Sequence, residues 1–525
     1  MSTDEQHKKK ITGAASIVGG ATVLSRIAGY GRDATIAYIF GAGLYADAFF
    51  MAFRIANLLR RLVGEGALTS AFVPIFTEEL HLRTKEDSQE LLSKIFTLFF
   101  IILIVITALS MLFSREIVYL MSPGFASDPV KFDLTVTLTF IMFPYLIFVG
   151  LMAIAMGALN SVKHFAMPAV SPLFFNLAII ASLFALVPFF STPIYGLAFA
   201  ILLGGFVQCA VQFPYLKKFN LMPRPIFNFK DPAIRKILLL MGPAAFGVGI
   251  YQLNIFVTMW FSSQLPEGAV SYLYYAGRLM EVPLGIFGVA VATAALPSLS
   301  EHAAKKDWGQ FRSSLSFAMR IINFVCIPAT VGLFVLSYPI IDVLFRRGEF
   351  GTAATSGTAV ALYYYALGLV PVSTSRILSS VFYSLKDTAT PVYAAIAAFA
   401  VNTVLCYLLV KPIGHGGLAL ATSISAAING AILLIILKRK FGRFEGSLIL
   451  ASAIKSLAAS LVMGAIIYLL VSLVDGMGRV ALTGAIIVGC GLGVIIYIFL
   501  AKAFKTHEVV FLKDIFLKRF KKTSY

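Results

Sequence analysis

Charge is scarce in this chain. Of its 525 residues only 13% are charged, whereas 59% are hydrophobic, and mean hydropathy is +0.88. A soluble domain puts about a quarter of its residues into charged types, so an ordinary water-exposed globule is excluded. Cysteine is equally sparse. Cys209, Cys326, Cys406 and Cys490 stand singly in apolar segments, which offers neither a disulfide framework nor metal-ligand spacing. The six histidines are scattered. There is no GxxxxGK[ST] loop for ATP and no HExxH motif, and no soluble segment large enough to hold a nucleotide. The ~10-residue alternating segments of an outer-membrane barrel are missing too. These absences point to a protein whose solvent is lipid and which is not an enzyme, with no metal and no cofactor expected.

What the chain does have is long apolar runs. Residues 96–113, 174–190, 194–211, 392–410 and 481–501 each approach or exceed the length that crosses a hydrocarbon layer of about 30 Å. Backbone groups left unpaired in lipid cost several kcal/mol each, so such runs must be helices. Hydropathy and turn signals place fourteen spans near 11–41, 44–64, 92–121, 133–158, 166–189, 193–216, 233–262, 268–299, 311–340, 354–384, 389–410, 416–437, 447–474 and 479–504. The fold class expected is an all-α polytopic membrane protein. His7-Lys8-Lys9-Lys10 precedes the first span without a small-residue cleavage site and reads as its cytoplasmic flank, not a signal peptide.

Lysine and arginine distribute unevenly across these spans. One side collects Lys8–Lys10, Arg60, Arg61, Arg83, Lys85, Lys94, Lys163, the Lys217–Lys236 cluster, Lys305, Lys306, Arg312, Lys386, 438–443 and the tail from Lys502 to Lys522. The other holds Arg115, Lys131, Arg346, Arg347, Lys411 and Arg479. A bias of roughly fivefold puts both termini in the cytoplasm. The net charge of +18 is then a matter of topology and anionic lipid headgroups, and no nucleic-acid partner is needed.

The sequence also repeats itself at a shift of about 223 residues. Asp47-Ala-Phe-Phe-Met-Ala-Phe-Arg54-Ile55 falls on Ser271-Tyr-Leu-Tyr-Tyr-Ala-Gly-Arg278-Leu279. Ala67-Leu-Thr-Ser-Ala-Phe-Val-Pro74 falls near Val291-Ala-Thr-Ala-Ala-Leu-Pro297, and Gly196-Leu-Ala recurs as Gly417-Leu-Ala. An even number of helices per copy gives two lobes related by an axis along the bilayer normal, a transporter plan with its site between the lobes. The division is an N-lobe over 1–223, a C-lobe over 224–445, and two additional helices with a basic tail over 446–525.

Seven basic residues fall inside the spans: Arg26, Arg32, Arg54, Arg278, Arg320, Arg376 and Lys455. Each costs about 2.5–3.5 kcal/mol at mid-membrane and so faces water or a partner. Arg320, Arg376 and Lys455 lie nearer helix ends, where snorkelling to the interface suffices. Arg26, Arg32 and Arg54, with Arg60 at the inner end, come from two consecutive helices. Their counterparts one repeat later are Ile250, Phe256, Arg278 and Leu284, with Glu281 one turn beyond Arg278. A cationic lobe thus faces a nearly neutral one. Straight, residues 11–41 would span about 46 Å, so a bend is expected beside Gly29 and Gly31. Converging guanidinium forks suit a diphosphate. The alternative is that Asp33, Asp47, Glu65 and Glu281 neutralise the arginines as buried pairs. Asn254 and Asn402 read as helix–helix hydrogen-bonding residues.

The motifs Ser25-Arg26-Ile-Ala-Gly-Tyr-Gly-Arg32-Asp33, Phe40-Gly-Ala-Gly, Ala46-Asp47-Ala-Phe-Phe, Asn57-Leu-Leu-Arg60-Arg61 and Tyr274-Tyr-Ala-Gly-Arg278-Leu-Met-Glu281 resemble those of the MurJ (MviN) lipid II flippase family. The resemblance implies a multidrug/oligosaccharidyl-lipid/polysaccharide exporter fold. It also implies lipid II, the undecaprenyl-diphosphate-linked peptidoglycan precursor, as cargo moved from the inner to the outer leaflet by alternating access. Arg26, Arg32, Arg60 and Arg278 match the family's cavity arginines, and Asp47, Glu65 and Glu281 its functionally important acidic positions; the residues themselves add Arg54 to the substrate-binding set. The two extra C-terminal helices would form a groove for the lipid tail. Gly277 departs from relatives that carry Asp there. No coupling ion is assigned, and a monomer suffices. A flippase for another lipid-linked glycan would use the same cationic chamber, whereas a multidrug exporter should carry carboxylates at its centre.

Overall fold

Apolar runs without strand-like alternation fold as helices, and every regular element among the described residues of the computed structural model is helical. Those residues are 3–61, 68–442, 444–474, 476–506 and 508–509; Glu65, Arg443 and the basic tail 513–522 lie outside them. Among the described residues ten helical stretches are long and apolar enough to cross a membrane, or eleven when a pair bent by 44° counts as one span. The chain divides into two units, Met1–Val270 with Arg347–Phe350, and Ser271–Arg346 with Gly351–Tyr525.

The first unit holds α1 (Thr3–Phe40), α2 (Leu44–Arg60), α3 (Thr69–Leu82), α4 (Lys85–Leu112), α5 (Ser114–Met121), α6 (Pro129–Met142), α7 (Tyr145–Ser161), α8 (Ala166–Ala185), α9 (Pro193–Ala210), α10 (Phe213–Lys218) and α11 (Pro232–Ser262). Two features differ from expectation. Helix α1 runs unbroken through Gly29 and Gly31, because the helical hydrogen-bond ladder tolerates glycine and α8 supports this stretch alongside. Helix α3 is an element of its own that hydropathy missed. Its second half carries Glu78, Glu79 and His81, which masks an apolar face where Phe72, Ile75 and Phe76 are buried with Leu91, Ile95, Phe99 and Ile154.

Ile234 and Ile237 at the start of α11 join that same core, so the compact unit extends past the repeat boundary at 223/224. The connection leading into α11 is an irregular segment laid along α4. Three α4 side chains spaced one turn apart receive it. Gln89 donates to the Met222 carbonyl at 2.8 Å, the Arg224 amide donates to Ser93 Oγ at 3.0 Å, and the Ile226 amide donates to Thr97 Oγ1 at 3.1 Å. An extended strand advances about 3.3 Å per residue and a helix 1.5 Å, so every second linker residue meets every fourth helix residue. The far end is closed by Asp231, which caps α11 through the Ala233 amide and accepts both outer nitrogens of Arg83 at 3.0 Å. Burial alone would raise the Asp231 carboxyl. Arg83, the Ala233 amide and Lys94 outweigh it and hold the carboxyl below its usual range.

The second unit holds α12 (Ala269–Pro283), α13 (Val289–Ala304), α14 (Trp308–Val335), α15 (Ser337–Phe345), α16 (Thr352–Ala366), α17 (Leu369–Ser384), α18 (Ala389–Ile413), α19 (His415–Phe441), α20 (Gly446–Ser472) and α21 (Arg479–Ala503). Helices α14, α17 and α19 share a core of Phe311, Leu315, Leu378, Phe382 and Leu433. The two extra helices attach through α20, which packs on α14, and through Tyr497 of α21, whose hydroxyl donates to the Phe324 carbonyl at 2.6 Å. Arg320 does not snorkel to water as expected. Its guanidinium lies 3.4 Å from the Glu508 carboxylate, which is 2% exposed. Asn402 is buried, and its Oδ1 meets Ser425 Oγ of α19 at 3.5 Å, a helix–helix contact.

Candidate substrate-binding site

The sequence-derived arginines occupy three different environments. Arg26 is exposed on α1, with no ion pair among the described residues. Arg32, less than two turns further along the same helix, is only 5% exposed. Its Nε and one outer nitrogen donate to Asp33 Oδ1 at 3.0 and 2.6 Å, and the other outer nitrogen donates to Asn176 Oδ1 of α8 at 3.1 Å. Asn176 in turn donates to the Ser25 carbonyl at 3.1 Å, and the Phe175 ring lies under the guanidinium at 5.9 Å. Arg32 is thus built into the α1–α8 contact, and Asn176 is a member of this node that sequence reasoning missed. A polar residue isolated in an apolar span was the available signal.

Arg54 and Arg60 lie six residues apart on α2 and are both half-buried. Arg60 ends the helix, and its Nε donates to Asn57 Oδ1 at 2.8 Å one turn back. Helix α2 is supported chiefly by α6 and α7, and α1 by α8, so the two pairs of arginines stand on separately braced helices. In the other unit, Arg278 of α12 donates to Glu281 Oε2 at 2.8 Å, with both side chains partly exposed. Arg376 and Lys455 are half-buried.

Asp47 has a different occupation. It is 1% exposed, and its Oδ2 accepts Lys131 Nζ and the Gly268 amide, each at 2.8 Å. The ammonium also sits 4.3 Å over the Phe125 ring. One carboxylate therefore joins α2 to α6 and to the turn before α12. Lys131 and Gly268 escaped sequence reasoning because their meeting with Asp47 is long-range. The α1–α2 turn is tight nearby. Gly41 and Gly348 have φ of +63° and +56°, and a Cβ on either would collide with the other segment's backbone, at Glu349 and Tyr38. The Glu349 amide donates to the Tyr38 carbonyl at 3.0 Å. Gly41 of the Phe40-Gly-Ala-Gly motif is a glycine for this reason.

A cleft of about 630 Å³ opens elsewhere, between α5 and the start of α6. Its Arg115 is already engaged with Asp133 at 2.8 Å and with the Phe132 ring at 5.0 Å. Among the described residues no three His, Cys, Asp or Glu side chains gather as a metal site. What the α1–α2 region offers chemically is charge. Residues 26–61 carry five arginines (26, 32, 54, 60 and 61) against two aspartates (33 and 47), a net of +3, and Asp47 is further matched by Lys131.

The family model described as lipid II flippase MurJ matches residues 36–489. A protein of Burkholderia cenocepacia named lipid II flippase MurJ is 37% identical over 427 residues, covering 81% of this chain and 83% of that protein. A solved lipid II flippase MurJ in an inward closed conformation has a TM-score of 0.78 at 29% identity, covering 93% of this chain and 98% of the other. A multidrug resistance MATE family transporter of the MOP superfamily, inward-facing, has a TM-score of 0.63 over 78% of this chain and 94% of the other. Its 14% identity speaks to the fold alone.

Proposed function

The chain belongs to the lipid II flippase MurJ family, and from that membership we propose that it carries lipid II from the inner to the outer leaflet of the inner membrane by alternating access. The diphosphate is gripped by Arg26, Arg54, Arg60 and Arg278. The observation that carries this reading is the excess of guanidinium over carboxylate in α1, in α2 and at the inner end of α2. It is +3 over residues 26–61, with Arg26, Arg32 and Arg54 at span depth and Arg60 and Arg61 at the inner end. Lipid penalises each such charge by about 2.5–3.5 kcal/mol, so the excess calls for water and an anionic guest.

Chemistry assigns the roles. A guanidinium presents two parallel N–H donors to two phosphate oxygens, and it stays protonated at every physiological pH. Arg32 is committed to Asp33, so its part is to hold α1 on α8, and it meets cargo only if that pair exchanges. Glu281 orients the fork of Arg278. Asp47 pins α2 at its first turn, and Glu65 takes the third acidic role that the family resemblance assigns. Without cargo the excess charges repel one another. A diphosphate cancels them and lowers the cost of closing the chamber around it, which couples loading to the change of access. Counting α1, α2 with α3, and α11 beside the eleven apolar spans makes fourteen crossings, arranged as two duplicated lobes plus two helices, functioning as a monomer with both termini cytoplasmic.

Leaflet-specific labelling of lipid II in cells depleted of this protein tests the reading. Accessible lipid II at the outer leaflet should fall and return with the wild-type chain, but not with Arg278→Ala at equal abundance. Undiminished delivery in depleted cells without a paralogue overturns it.

A further inference from the structure

The linker laid along α4 bounds a second cleft, of about 370 Å³, lined by Leu98 of α4, Phe229 of the linker, and Ile234, Arg235, Leu238 and Leu239 of α11. We propose that this cleft is a binding site for one anionic glycerophospholipid of the inner leaflet, its phosphodiester on Arg235 and its chains against Leu238 and Leu239.

Three observations select that occupant. First, the walls are apolar and open outward. Leu238 and Leu239 are 42% and 66% exposed at the start of a long helix, beside a span of mean hydropathy 2.9, where lipid chains rather than water are the neighbours. Second, Arg235 is exposed and makes no ion pair among the described residues. The carboxylates around it are already taken: Asp231 by Arg83, Glu78 by Lys236 and Glu90 by Lys94. Third, the linker adds Arg224 and Lys230, both exposed, so a zwitterionic headgroup would bring its cation into basic surroundings while a net-negative one would not. The volume lies near the lower end for small-ligand pockets. It accommodates a headgroup and the first part of the chains. The hydrogen bonds to Gln89, Ser93 and Thr97 hold the wall in place before any lipid arrives.

Native mass spectrometry of the full-length protein tests this, with phosphatidylglycerol and phosphatidylcholine of identical chains supplied together. The wild-type chain should retain phosphatidylglycerol preferentially. Arg235→Gln should cut that preference about fivefold, the worth of one basic side chain at a charged membrane surface, while Arg235→Lys keeps most of it. Leu238→Asn should weaken retention of both lipids. Lys217→Gln, a basic residue outside the cleft, should change nothing. An unchanged preference in Arg235→Gln, or an equal loss in Lys217→Gln, would overturn the site. Displacement of the lipid by millimolar inorganic phosphate would also overturn it, since the cleft would then be a free-anion site. None of these outcomes bears on lipid II transport, which is assayed separately.

Discussion

Arg32 and Arg60 lie on consecutive helices of one unit and carry the same charge, yet the fold uses them in opposite ways. Arg32 is closed into a carboxylate, an amide and an aromatic face. Arg60 ends its helix, donates from Nε to the neutral Asn57 side chain and is half-buried. Two arginines of one unit can therefore differ in whether the fold closes over them. The discriminating feature is an adjacent acid and a second helix to close over the guanidinium. Asp33 supplies the first for Arg32 and α8 the second, whereas Arg60 follows Leu58 and Leu59 and is followed by Arg61.

The largest expected effect comes from breaking the buried side of this comparison. Asp33→Ala leaves the Arg32 guanidinium buried without its carboxylate, which costs about 3–5 kcal/mol, seen as low abundance and early thermal unfolding in detergent. The double variant Arg32→Met with Asp33→Leu should recover most of that stability, because a packed apolar pair avoids desolvation. If the double variant also transports normally, Arg32 has no contact with cargo. Asp47→Ala should match Asp33→Ala in size by orphaning Lys131, and equal stability to wild type would contradict its pinning role.

Next in size is the half-buried side. Arg60→Ala should abolish lipid II delivery while shifting the unfolding midpoint little, and Arg60→Lys should restore delivery only in part, since a point charge lacks the two-pronged geometry. Full rescue by lysine would make the site one of bulk charge, and loss of folding in Arg60→Ala would erase the distinction from Arg32.

The smallest effect belongs to a surface pair that serves as a reference. Lys440 in the last turn of α19 donates to Asp387, just past the end of α17, and together with Thr390 it holds the Asp387 carboxyl down to about 2. A carboxyl with a depressed folded pKa contributes stability above its unfolded value, near 3.9, and loses that contribution as pH falls toward 2. Wild type should therefore be slightly more stable than Asp387→Asn at pH 7, with the gap closing between about pH 4 and pH 2. A gap that persists at pH 2 would place the effect in the Thr390 cap instead.

Much of this molecule was legible in the residues. The apolar runs are helices, the family motifs carried the identity, and the charge excess of α1 and α2 stands out against a nearly neutral repeat copy. Helix α3 was not legible, because its acidic second half hides a face buried by α4, α7 and α11. Nor was the unbroken course of α1, since two glycines beside charges look like a hinge until α8 is seen alongside. The roles of the acids were mixed in sequence as well. Asp33 and Asp47 both read as possible partners of the arginines, and only their contacts separate a clamp on Arg32 from a pin across three elements.

Composition and hydropathy alone determined the solvent of this protein, because burial of apolar surface is additive along a chain and needs no knowledge of neighbours. Which arginine is closed into the fold and which stands half-buried or exposed was decided by tertiary structure. The energy of a charge depends on what stands within a few ångströms of it, and Asn176, Lys131 and Gly268 come that close only after residues more than eighty positions apart have packed together.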